Sequence, residues 1–273
     1  MNAVFVIAGK EFRDGLRNRW FLGAAVSLTL FALSLIFIGS SPAGTLGVDR
    51  LSVTVVSLAS LSVFLIPLMA LLLSFDALVG EHENGTLSLL LSYPVGRWQV
   101  ILGKFAGQSL GLGLAALCGY IIAGITLKLL DSSIENWLPL VLLTTSSILL
   151  GAVFIAVGLL LSAVPRARGA AAGLAVIVWL VFVVLYDMVL LGILVSAGNA
   201  VSEPLFNGLL LANPTDAFRL INLAGFEDVR AVAGLSDAEI AAAGSRIWPL
   251  VSMLVWLLTA LAVSMLVFRR KSI

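Results

Sequence analysis

The chain has 273 residues, of which 60% are hydrophobic and 11% charged, and its formal net charge is +1. A mean hydropathy of +1.12 excludes a soluble domain, because one globular core could not bury so many apolar side chains. The near-neutral charge offers no footprint for a nucleic acid. The lone cysteine, Cys118, lies in an apolar run, so neither a disulfide framework nor a cysteine-type metal site can form.

The chain starts with an amphipathic stretch. Phe5, Ala8, Phe12 and Leu16 share one helical face, with Lys10, Arg13, Asp14 and Arg17 mostly opposite. That pattern predicts a helix over about residues 1–19 lying on the membrane surface, basic residues toward the headgroups; a plain positive flank is the alternative. A basic start, an apolar stretch and Ser41-Pro42-Ala43-Gly44 also superficially fit a secretory leader, but the region before the first span is long and patterned, which favours a retained segment.

Apolar blocks near the length that crosses a bilayer follow. Spans are predicted at 21–38, 53–73, 105–127, 138–163, 170–185 and 247–268. The turn Pro165-Arg166-Ala167-Arg168-Gly169 divides the fourth from the fifth, since a Lys or Arg at a membrane helix centre costs roughly 2.5–3.5 kcal/mol. Trp20, Trp137 and Trp248 sit at span starts, as interfacial aromatics do.

Between the second and third spans, residues 81–97 read Glu-His-Glu-Asn-Gly-Thr-Leu-Ser-Leu-Leu-Leu-Ser-Tyr-Pro-Val-Gly-Arg. Gly85 frees the backbone, Thr86 is a good N-cap for a short helix over Leu87 to Leu91, and Pro94 ends it. A short rigid helix between two spans can receive a push from another protein; a floppy loop could not.

Eleven of the sixteen Lys and Arg residues fall on one side: Lys10, Arg13, Arg17, Arg19, Arg97, Lys104, Arg166, Arg168, Arg269, Arg270 and Lys271. The positive-inside rule makes that side cytoplasmic, with both termini and residues 80–100 on it. Residues 199–246 then lie outside. Within residues 192–246, short apolar pieces such as Leu209-Leu210-Leu211 alternate with Asn213-Pro214-Thr215-Asp216 and Glu227-Asp228. Runs this short predict re-entrant or interfacial helices, and Ser236 with Glu239 forms a capping-box pattern. The mixture suits the rim of a docking surface for a periplasmic partner, with Asp216, Arg219, Glu227, Asp228 and Arg230 as candidates; a lid over the outer end of the spans is the competing reading. Asp187 is expected at the outer interface. Gly103, Gly107 and Gly111 open the third span, and Gly169 and Gly173 the fifth. Small residues at this spacing allow close helix approach, within one subunit or between two.

Catalytic chemistry has no foothold. There is no phosphate-binding Gly-x-x-x-x-Gly-Lys loop, no His-Glu-x-x-His and no Gly-x-Ser-x-Gly. The five methionines do not cluster at ligand spacing. His82 reads as a solvated polar residue.

Glu81, Glu83, Gly85, Thr86, Leu87, Leu90, Leu91, Ser92, Pro94, Val95, Arg97, Gly103 and Lys104, set after the second of six spans, resemble the motif of the type-2 ABC exporter permeases. The resemblance covers the whole chain. It implies an all-α membrane protein forming a single transmembrane domain over 1–273, with an N-terminal interfacial helix, six transmembrane helices, a cytoplasmic coupling helix and short outer helices. It implies that Glu81, Glu83, Gly85, Thr86, Leu87, Leu90, Leu91, Tyr93, Pro94 and Arg97 meet a separate ATPase subunit, which holds the ATP and magnesium while this chain binds no cofactor or metal. It also implies a homodimer in the bacterial inner membrane, with Gly169 and Gly173 placed near the contact.

Residues 39–44, Gly-Ser-Ser-Pro-Ala-Gly, and 213–220, Asn-Pro-Thr-Asp-Ala-Phe-Arg-Leu, carry a narrower resemblance to the permeases of NosDFY complexes. Those help mature the copper site of nitrous oxide reductase in denitrifying bacteria. This implies a NosF-like ATPase and a NosD-like periplasmic partner. Mechanical transmission to that partner, export of a sulfur species, and generic export of a lipid-like, drug or other substrate remain open.

Overall fold

The computed structural model describes residues 3–17, 19–39, 50–132, 134, 136–197, 203–223 and 247–270. The described residues form helices and no strand. Helix α1 (Ala3–Arg17) precedes the first span, α2 (Trp20–Gly39); the second is α3 (Arg50–Ser74). Two short helices, α4 (Val79–Glu83) and α5 (Thr86–Ser92), lead to α6 (Arg97–Leu130) and α7 (Leu138–Ala163). The fifth span is α8 (Arg168–Leu180), a π-helical turn (Val181–Leu185) and α9 (Tyr186–Ala197). Two further short helices, α10 (Glu203–Ala212) and α11 (Pro214–Leu223), precede the last span, α12 (Ile247–Arg270). Six helical stretches are long and apolar enough to cross a membrane, so the chain is an all-α, multi-pass membrane protein.

Helix α7 is the axle. It packs on α3, α6, α12 and α11, and 61% of its apolar window is buried, against 17% for the fifth span. Small residues bring the helices together, since between lipid-soaked helices close packing replaces the hydrophobic drive. A Cβ at Gly158 would overlap Ser74 on α3. Polar side chains add a tie: Tyr120 Oη on α6 lies 2.6 Å from Ser62 Oγ on α3 and 3.1 Å from Ser147 Oγ on α7.

The glycine stripe on α6 closes one open question. A Cβ at Gly103 would fall 2.6 Å from Ile7 Cβ, one at Gly107 would fall 2.5 Å from the Ala8 carbonyl oxygen, and one at Gly111 would overlap the Phe21 ring. The stripe therefore receives α1 and the start of α2 of the same chain. A Cβ at Gly169 or Gly173 would meet nothing within 4 Å.

Three expectations change. The fifth span does not stop at Leu185; the helix continues to Ala197 through the π turn, and Asp187 sits within it because a partner, Arg219, meets its charge. The N-cap of α5 is Gly85, not Thr86: Gly85 has φ of 72°, a left-handed turn that glycine adopts without steric cost. Thr86 becomes the first helical residue, and its hydroxyl donates to the Glu81 carbonyl. The third span starts at Arg97, earlier than expected, because Gly96 and Gln99 close its first turn.

Candidate functional site

The α4–α5 element grows from the end of α3 and is held from outside its own sequence. The backbone amides of Leu78 and Val79 donate to Ser162 Oγ on α7 at 2.8 and 3.1 Å. One hydroxyl thus satisfies two of the free amides where α4 begins. After Gly85 the chain turns into α5. Leu87 is buried, and Leu90 and Leu91 pack partly buried on the core. Leu90 and Leu91 both lie one turn on from Leu87, so the three share a face, which leaves Thr86, Ser88, Leu89 and Ser92 outward.

Charged residues fix the element at several points. The buried Lys104 Nζ donates to Glu81 Oε1 at 2.8 Å and to Glu11 Oε1 at 2.7 Å. Lys10 Nζ also reaches Glu81 Oε1, at 3.1 Å. Glu81 therefore joins α4 to α6 and α1. On the other flank, Glu83 Oε1 accepts the backbone amide of Arg168 at 2.9 Å, and Glu83 Oε2 lies 3.2 Å from Arg168 Nε. A carboxylate at a helix N-terminus meets both free amides and the favourable end of the dipole. Arg168 also lies 3.1 Å from Asp76 Oδ1 and donates to the Gly80 carbonyl. At the start of α6, Arg97 donates to the carbonyls of Phe268 and Arg269 at 2.9 and 2.8 Å and stacks over the Phe268 ring. Burial lowers the Lys10 pKa, but the Glu81 carboxylate outweighs it and holds the ammonium above its ordinary 10.5.

The residues singled out from the sequence divide by direction. Glu81, Leu87 and Arg97 point into the mount, Leu90 and Leu91 are half-buried, and Glu83 is exposed yet tied to α8. Gly85, Thr86, Tyr93 and Pro94 face outward. Sequence reasoning missed Leu89, which is 66% exposed and stands with Tyr93 at 68% and Trp98 at 52%. The spacing carried the signal for Leu89, since it falls off the face that Leu87, Leu90 and Leu91 define. It also missed Ser162 and Glu11, whose roles depend on helices distant in sequence.

The opposite end of the bundle has its own constellation. A π turn leaves backbone groups out of the regular helical ladder. Here the Phe182 carbonyl accepts Asn213 Nδ2 at 2.9 Å and Thr215 Oγ1 at 3.1 Å. Asp216 and Arg219, expected on a docking rim, are turned inward. Arg219 donates to Asp216 Oδ1 at 3.1 Å and to Asp187 Oδ2 at 2.6 Å, and Asn213 donates to Asp216 Oδ2. Burial, then the nearby Asp187 carboxylate, pushes Asp216 up to about 7 against the pull of Arg219. Asn222 donates to Ser146 on α7. Tyr186, Ser252 and Trp256 donate to the Leu209, Leu211 and Ala212 carbonyls at the end of α10. Glu227, Asp228, Arg230, the Ser236 capping pattern and residues 40–44 lie outside the described residues. Among the described residues, no group of three or more His, Cys, Asp or Glu could hold a metal ion.

A family model described as "ABC-2 family transporter protein" matches residues 5–273. A protein of Stutzerimonas stutzeri named "Probable ABC transporter permease protein NosY" is 42% identical over 276 residues, covering 99% of both chains. A protein of the same name from Pseudomonas aeruginosa is 43% identical over 280 residues, covering 100% of both.

Proposed function

The chain belongs to the ABC-2 family of transporter proteins, as a permease subunit similar to NosY, and on that premise we propose that it turns ATP hydrolysis by a separate ATPase into movement of its spans. The basic end faces the cytoplasm. There α5 is the contact for the ATPase, with Leu89, Tyr93 and the Gly85-Thr86 turn as its outward face. One observation carries this: α5, a short helix with exposed apolar residues and a buried Leu87, continues through Gly85 from α4, which Glu81, Ser162 and Glu83 tie to α1, α6, α7 and α8. A load on α5 therefore passes through α4 into four helices.

The movement serves copper-site assembly of nitrous oxide reductase, through a NosD-like protein received on the periplasmic side by residues 199–246. The likeness to NosY over the full length supports this. Mechanical transmission is favoured over export of a sulfur species, because Ser62, Tyr120 and Ser147, which join α3, α6 and α7, are spent on one another. Two copies associate through the fifth span, whose Gly169 and Gly173 stand open.

The test is the double variant Leu89→Asp with Tyr93→Ala, co-expressed with the ATPase. The permease should insert normally, while recovery of the ATPase and permease-dependent ATP hydrolysis fall about tenfold or more, the scale of losing a central apolar contact. Full recovery of both overturns the contact. Copper content of nitrous oxide reductase from cells carrying the variant reads the downstream step, and an unchanged content overturns that part alone.

A further inference from the structure

Between α2 and α3 lies a cleft of about 410 Å³, within the roughly 300–1,000 Å³ of small-ligand sites. Its walls are apolar: Ala24, Leu65, Leu68, Met69, Leu72 and Leu112. Leu65 to Leu73 runs about 12 Å along α3 at the helical rise, so the cleft enters the leaflet from the basic end. At its mouth it shares Trp20, Phe21, Leu72 and Leu73 with a second space of about 400 Å³. That space is charged. Lys10, Lys104 and Arg168 line it together with Glu11, Asp14, Asp76 and Glu81.

The two spaces join an oily slot to a wet, polar vestibule at one membrane interface, the shape of an amphiphile. The order of charge along the path selects the headgroup. Arg19 comes first, on the wall of the slot. It is exposed, and among the described residues it makes no ion pair. Its φ of 59° places it alone among the described non-glycine residues in the left-handed region, a conformation held against its own preference. The vestibule beyond supplies carboxylates. Lys104 is shared by Glu11 and Glu81, whereas Asp14 meets only Lys10, at 3.8 Å, and stays half-exposed. Cations and carboxylates around the joined spaces balance, four against four, once Arg19 is counted. An anionic headgroup would bring the carboxylates no partner; a zwitterion brings a partner to both signs.

We infer that the cleft between α2 and α3 and its adjoining vestibule bind one ethanolamine-type phospholipid from the leaflet at the basic end. An acyl chain fills the cleft, the phosphate sits at Arg19, and the primary ammonium reaches Asp14 in the vestibule. The lipid is a resident wedge between the first two spans, and the site does not depend on the assignment of α5 to an ATPase.

The test is native mass spectrometry of the full-length permease in mild detergent, exposed to equal amounts of dioleoyl phosphatidylethanolamine and dioleoyl phosphatidylglycerol. One phosphatidylethanolamine should stay on each chain, favoured by about two- to fivefold, the scale of one exposed ammonium–carboxylate pair. Gly23→Phe should remove it. Gly23 lines the cleft and a Cβ there meets nothing within 4 Å, so the new ring can enter without displacing backbone. Arg19→Glu, at an exposed position, should lower retention while melting stays as in wild type. Leu30→Phe, on the exposed part of α2 away from the cleft, should change nothing. Equal retention of both lipids, or retention unaltered by Gly23→Phe and Arg19→Glu, means annular lipid only and overturns the inference. Preferred phosphatidylglycerol overturns the headgroup and the charge argument with it. Should Gly23→Phe fail to fold, Arg19→Glu decides alone.

Discussion

At the basic end, α4 and α5 hang on ion pairs: Lys104 between Glu11 and Glu81, Arg168 between Asp76 and Glu83. At the opposite end, α10 and α11 hang mostly on side chains that donate to backbone carbonyls: Asn213 and Thr215 to Phe182, Tyr186 to Leu209, Trp256 to Ala212. The two mounts answer to different conditions. Lys10 is held charged beyond its ordinary range, and Glu81, against its own burial, is held ionised by Lys104. Asp216 is instead pushed up to about 7, by its burial and by the neighbouring Asp187. One end is a bracket of ion pairs around an outward apolar helix; the other is largely turned inward.

The largest expected effect is at Lys104. Replacing it with Met leaves Glu11 and Glu81 with only the exposed Lys10 beside them, in a site where the lysine side chain is 2% exposed. Breaking a buried pair from one side costs about 3–5 kcal/mol, so Lys104→Met should sharply lower the thermal midpoint of the solubilised protein or prevent its accumulation. Arg219→Met at the opposite end should cost less, since that side chain is 30% exposed. An Arg219 loss equal to the Lys104 loss would reverse the ranking of the two mounts.

Next come the single caps. Ser162→Ala should leave the Leu78 and Val79 amides unmet, and Asn213→Ala should remove one of the two side-chain donors to Phe182. Each is worth about 1–2 kcal/mol, the cost of a buried polar group losing its partner. Hydrogen exchange should rise at residues 78–79 in the first variant and leave α10 and α11 untouched; a uniform rise in both variants would mean the ends are not separate units.

Acidity separates the ends further. A carboxyl whose folded pKa is raised binds its proton more tightly folded than unfolded. Its stabilising contribution is complete below the ordinary 3.8 and is lost as pH rises through about 7. Between about pH 5 and pH 8 the wild-type midpoint should therefore fall relative to Asp216→Asn, by about 3 °C for each kcal/mol of this contribution. Parallel midpoints in the two proteins would show that Asp216 is already ionised. The smallest effect belongs to Lys10→Gln. Its side chain is 57% exposed, and exposed pairs contribute about 0.2–1 kcal/mol, so its midpoint should barely move and the difference should vanish in high salt.

The six spans were legible because bilayer length and apolar composition coincide, and α5 because Gly85, Pro94 and the Leu87, Leu90, Leu91 face punctuate it. The direction of each charge was not legible. Glu81 and Glu83 are two residues apart and look alike in sequence, yet one faces Lys104 and the other caps α8. That division depends on where α6 and α8 arrive, which no local pattern encodes. Gly103 and Gly173 likewise share a spacing, but only the first has a helix against it. Asp216 and Arg219 read as rim residues because polarity alone cannot show that Asp187 waits beneath them.

The π turn at Val181–Leu185 gives the gene an unusual vulnerability. Such a turn holds one residue more than the helix on either side needs, and here the surplus sits in a run of valine, phenylalanine and leucine that any hydropathy plot would score as interchangeable. An in-frame loss of a single codon there would leave an apolar, membrane-crossing, fully helical segment. Yet it would close the turn into regular helix and draw the Phe182 carbonyl back into the ladder, away from Asn213 and Thr215. A deletion that every composition rule calls silent would leave the start of α11 without its acceptor.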